Sequence, residues 1–146
     1  MAVDEYREID LEVMLDSGCC KHVMDAEDAP GYMVMPSAGS RRGQNFIVGN
    51  GQRIPNEGEV HLSLLAPAGG DEQTPVQSVF QIAEITRPLM SVSQICDQGY
   101  ACVFTKDGAE VMDDDRNIVA RFERSNGLYV ASMRLRPPEP FTRPVP

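Results

Sequence analysis

The residues best suited to chemistry stand together at Asp16-Ser17-Gly18, directly after the apolar run Val13-Met14-Leu15. Burial of that run would hold the carboxylate where water is scarce, an environment that changes how readily it gives up its proton. Ser17 offers a hydroxyl to neighbouring backbone, and Gly18 lets another backbone come close. As a bare tripeptide, Asp-Ser-Gly is more often an ordinary turn after a strand. One aspartate cannot serve as both acid and base on a water, so a catalytic reading needs a second carboxylate. An identical chain across a two-fold axis would supply it. Ser17 is not read as a nucleophile, because neither His22 nor His61 stands with an acidic partner in a hydrolase motif.

The elements that must position this triplet come next. Leu11 to Leu15 reads as a strand ending at the Asp16 turn, and Lys21 to Met24 as a second short strand or a turn. Asp25 to Arg42, rich in Asp, Pro, Gly and Ser, predicts a long loop. Asn45 to Ile54 predicts a hairpin in which Asn50-Gly51 supplies the positive φ of a tight primed turn. Glu59 to Leu64 alternates, with Val60, Leu62 and Leu64 inward and His61 outward. Pro67 to Pro75 reads as a turn-rich loop and Val76 to Ile85 as a strand. Ser91 and Gln94 have capping-box spacing, with Met90 and Ile95 as a hydrophobic staple and Gly99 as the stop of a short helix. A β-meander follows over Cys102 to Thr105, Glu110 to Met112, Ile118 to Phe122 and Leu128 to Ala131. Its turns fall at Asp107-Gly108 and Asn126-Gly127. The segments before Leu11 and after Met133 carry little pattern, the second because of repeated prolines.

Composition narrows the function. The chain has 146 residues, enough for one domain with its own core. A formal net charge of -9 argues against a nucleic-acid-binding module. No apolar run is long enough for a membrane span, and the acidic start is unlike a secretory signal. The four cysteines lack the spacing of a metal site; Cys19-Cys20-x-His22 has no second ligand pair. Free thiols are the default in a reducing compartment, which gives a cytoplasmic reading. A pair of carboxylates acting on water needs no metal or other cofactor. Asp113-Asp114-Asp115 lacks the alternating ligands of a calcium loop and reads as a solvated turn.

Three blocks carry a family resemblance. Asp16-Ser17-Gly18-Cys19-Cys20-Lys21-His22-Val23-Met24 resembles the catalytic loop of the copia-type (Pseudoviridae) retrotransposon proteases, where Asp-Ser-Gly-Ala is followed by His and an apolar residue. Leu89 to Tyr100 resembles that family's Leu-Leu-Ser-Val-Ser-Gln-Leu segment. Asn126-Gly127-Leu128-Tyr129-Val130 resembles the end of the segment joining protease to integrase. Cys19 departs from the family's usual Ala. The resemblance implies an all-β, retropepsin-like closed barrel over residues 11–100 with one short helix. It further implies a β-rich extension over 101–133, flanked by tails over 1–10 and 134–146. It implies an obligate homodimer acting as an aspartic endopeptidase on a peptide or polyprotein. Asp16, Ser17 and Gly18 would form the catalytic loop, with Ser17 bonding across the dimer, and Gly49, Asn50 and Gly51 the tip of a substrate-covering flap. A protease-derived module that dimerises or binds peptide without cutting is the alternative.

Overall fold

A computed structural model describes residues 9–138. The fold is mostly β, 52% strand against 10% helix, as the alternating patterns predict. In chain order the elements are β1 (Ile9–Asp16), β2 (Val23–Met24), α1 (Ala38–Arg41), β3 (Asn45–Ile47), β4 (Arg53–Pro55), β5 (Gly58–Gly69) and β6 (Glu72–Ile82). There follow β7 (Leu89–Ser91), α2 (Val92–Asp97), β8 (Ala101–Phe104), β9 (Gly108–Met112), β10 (Ile118–Ser125) and β11 (Leu128–Leu135).

Among the described residues nine strands form one sheet in the order β1-β7-β2-β6-β5-β11-β10-β9-β8, and β1 also pairs with β11. The pairings β1-β7-β2-β6-β5-β11 therefore return on themselves, with β10, β9 and β8 continuing from β11. β1 lies antiparallel to β11 from Ile9↔Leu135 to Leu15↔Tyr129 and parallel to β7 from Met14↔Leu89 to Asp16↔Ser91. β3 and β4 make a separate two-stranded sheet.

Period-two alternation sends Leu11, Val13 and Leu15 of β1 and Val60, Leu62 and Leu64 of β5 into a common core. Burial of each such side chain contributes roughly 1.5–3 kcal/mol. Phe122, Ala131 and Met133 from the last strands enter the same cluster. Among the described residues no helix is long and apolar enough to cross a membrane.

Several local expectations change. The segment 67–75 is not a loop: β5 and β6 run through it, pairing Leu65↔Pro75 and Pro67↔Gln73 before turning at Gly70-Asp71. The prolines are tolerated because β11 pairs with β5 only at Leu64 and Leu65, and β2 with β6 only at Gln81 and Ile82. A proline there has one neighbour to bond rather than two. β6 accordingly starts earlier than predicted and stops at Ile82. The loop over 25–42 contains a 3-10 turn at Ala26–Asp28 and a second α-helix, α1, capped reciprocally by Ser37 and Ser40. Ile9 and Asp10 begin β1, while Arg134 and Leu135 end β11; the rest of the predicted tails, 1–8 and 139–146, lies outside the described residues.

Candidate active site

Asp16 closes β1 at the point where that strand is held on both sides, by Ser91 of β7 and by the start of β11. The chain then turns through Ser17 and Gly18, which are exposed, while Asp16 is half-buried. The Gly18 N–H donates to Asp16 Oδ1 at 2.7 Å. A Cβ at position 18 would lie 3.2 Å from that oxygen, so glycine permits the close approach. The Cys19 thiol donates to Asp16 Oδ2 at 3.4 Å. Burial first, and the Asp16 charge second, push the Cys19 pKa up to about 12. At neutral pH Cys19 is thus a protonated donor to the carboxylate, not a thiolate.

The turn is fastened from beneath by residues far away in sequence. Ser91, fully buried, donates its hydroxyl to the Cys19 carbonyl at 2.7 Å and accepts from the Gln94 N–H at 3.1 Å, capping α2. The Ser91 N–H donates to His22 Nδ1 at 2.8 Å. Gln94 Oε1 accepts from the His22 N–H at 2.7 Å, and its Nε2 donates to the Val79 carbonyl at 3.0 Å. Only half of the predicted capping box therefore forms: Gln94 does not return to the Ser91 N–H, which His22 takes instead. The His22 ring also lies 5.0 Å from that of Phe80. Burial, with Lys21 second, lowers its pKa to about 4, so it is a neutral acceptor in the scaffold.

Sequence reasoning missed Ser91, Gln94 and His22 as positioning residues. The Ser-x-x-Gln spacing was the available signal, but nothing local links it to a histidine about seventy positions earlier.

The β3–β4 hairpin is present, with a different turn from the one predicted. Gly51 donates to the Val48 carbonyl at 2.8 Å, and Val48 donates to the Gln52 carbonyl at 3.0 Å. Gly51 has φ +84°, whereas Asn50 is not in the left-handed region. This is a three-residue loop with a glycine bulge rather than a two-residue primed turn. Asn50 instead accepts the Gln52 N–H on its side chain at 2.8 Å. Gly49, Asn50 and Gly51 are exposed. Among the described residues no hydrogen bond joins them to residues 16–18. The base of the hairpin does come near the turn: Asn45 and Phe46 share a cavity of about 450 Å³ with Cys20 and Lys21.

The other candidates have local roles. His61 is exposed and pairs with Glu59 at 2.9 Å. Asp113 accepts the N–H groups of Asp115 and Asn117, both at 2.9 Å, which builds a turn and lowers its pKa, chiefly through Asn117. Among the described residues no three His, Cys, Asp or Glu side chains form a metal-holding group, and all four cysteines are free. No family model matches the chain, and no curated protein or solved structure matches it.

Proposed function

We propose that this chain is one subunit of an aspartic endopeptidase of the copia type, whose active site forms when two Asp16 side chains meet on a two-fold axis. The observation that carries the reading is the Asp16 carboxylate itself, tied to the Gly18 N–H at the exposed end of a strand held on both sides. The Gly18 N–H and the Cys19 thiol hold its two oxygens and fix its direction, while the residue stays half-exposed. The circuit of strand pairings supports a retropepsin-like barrel around it.

Two such carboxylates brought together would repel when both are ionised, so the pair keeps one proton. The ionised member takes a proton from water, and the resulting hydroxide-like oxygen attacks the scissile carbonyl. The protonated member donates to the carbonyl oxygen, giving a tetrahedral intermediate, whose collapse returns a proton to the leaving amine. Ser17, exposed beside Asp16, is available to bond across the dimer, and the hairpin tip at Gly49 to Gly51 to cover a bound peptide.

Cys19 favours a second reading, a dimerising or peptide-binding module with weak or no turnover. Its thiol occupies Asp16 Oδ2, an oxygen that must exchange protons with water during catalysis. Incubation of wild type and Asp16→Asn with a complex peptide mixture, followed by mass spectrometry, separates the two. The endopeptidase reading requires new cleavage products from wild type that the variant does not make.

A further inference from the structure

The cavity lined by Cys20 and Lys21, by the start of α1 at Ser37 to Gly39 and by Asn45 and Phe46 at the hairpin base has a chemical character that the peptidase reading does not explain. Its volume is about 450 Å³, within the range of ligand pockets. Its floor is made of amides that already satisfy one another. Asn56 Nδ2 donates to Gln81 Oε1 at 2.9 Å, Asn56 Oδ1 accepts the Gly58 N–H at 2.9 Å, and Gln44 lies alongside. Lys21 and Arg42 also line the cavity, and neither has an acidic partner among the described residues. The one carboxylate in the lining, Glu59, is engaged by His61 at 2.9 Å and by Gln81 Nε2 at 3.5 Å.

We infer that this cavity is a subsite for an acidic side chain of the peptide, read by Lys21 and Arg42. The inference rests on the peptidase reading for the identity of the ligand as a peptide. It adds the substrate class, since Lys21 lies on the turn that follows Asp16 and Asn45 and Phe46 lie on the hairpin. A peptide passing between turn and hairpin would cross the cavity mouth. There a carboxylate meets two unneutralised cations, and a charge-assisted hydrogen bond is about twice as strong as a neutral one.

The charge of the whole chain sharpens the test. A net charge of -9 repels an acidic ligand at long range, so bulk electrostatics and the subsite predict opposite preferences. The probes are pools of short fluorescent peptides with degenerate flanks and a fixed central Glu, Gln or Lys. They are bound to the Asp16→Asn protein, chosen to avoid cleavage, and followed by anisotropy. The subsite predicts that the Glu pool binds about tenfold more tightly than the Gln pool and that the Lys pool is weakest. Adding Arg42→Glu should erase that order, whereas adding Lys106→Glu, the same charge change on the distant β8–β9 turn, should preserve it. Equal binding of the three pools, no binding, or erasure by Lys106→Glu as well overturns the inference. Cleavage by wild type is scored separately. Cleavage without a Glu preference removes the subsite and keeps the peptidase; a Glu preference without cleavage does the reverse.

Discussion

Two ionisable side chains near Asp16, Cys19 and His22, have protonation states set by their surroundings, and each state has a measurable consequence. Cys19 stays a thiol and donates to the carboxylate. Cys19→Ala removes that donor and leaves Oδ2 to water or substrate, so peptidase activity should rise about two- to tenfold, the worth of one ordinary hydrogen bond. Steady-state cleavage of a single peptide checks this, and a fall in activity would make Cys19 a supporting residue. His22 acts on stability. Folded, it titrates near 4 rather than near 6.5, so between those values the unfolded chain binds the extra proton. Stability is therefore complete above about pH 6.5 and declines as pH falls toward 4, by roughly 2–3 kcal/mol from this residue. Urea unfolding of wild type and His22→Asn should converge by that amount on acidification, since Asn retains an acceptor for the Ser91 N–H but does not titrate. Parallel pH profiles would show that His22 takes up its proton equally in the folded and the unfolded chain, with no shift.

At the scale of elements, α2 matters because its first turn fastens the Asp16 turn. Gln94 accepts from the His22 N–H and donates to the Val79 carbonyl. Gln94→Ala should cost about 1–3 kcal/mol by leaving these groups unpaired, and it should lower activity by loosening the turn. Urea midpoints and cleavage rates measured together test both halves. At the hairpin, Gly51→Val forces a branched side chain into φ +84°, at a local cost of about 1–2 kcal/mol. Circular dichroism should stay native while peptide binding weakens; unchanged binding would mean the hairpin does not cover the substrate.

These elements also show what a sequence can disclose. Strand alternation in β1 and β5 was legible because one face is buried along their length. The same dipeptide, Asn-Gly, gave two different turns. At Asn126-Gly127 both residues have positive φ and Ser125 pairs with Leu128, as the dipeptide alone suggests. At Asn50-Gly51 the pairing register of β3 and β4 adds one residue to the loop, and Asn50 adopts another conformation. The dipeptide does not fix the pairing of its flanks. The tolerance of Pro67 and Pro75 depends on which further strands pair with β5 and β6, and the contact between Ser91 and His22 spans 69 positions. That Asp16-Ser17-Gly18 ends a strand and begins a turn could be read from sequence because both signals are local, while the residues that hold the turn could not.

For the whole molecule, the proposed active site needs two chains, since the described residues contain a single Asp-Ser-Gly turn. The most direct measurement is subunit mixing. Wild type is held at a concentration where it is fully dimeric, and Asp16→Asn protein is added in increasing amounts under conditions that allow exchange. A mixed dimer has one carboxylate on the axis and cannot divide the acid and base roles. With equal amounts of the two chains, random pairing leaves about half of the wild-type chains in wild-type dimers, and a threefold excess of the variant leaves about a quarter. Peptidase activity should fall along that curve. Activity that stays constant while mixed dimers form would mean that one Asp16 suffices, and the two-fold active site would be wrong.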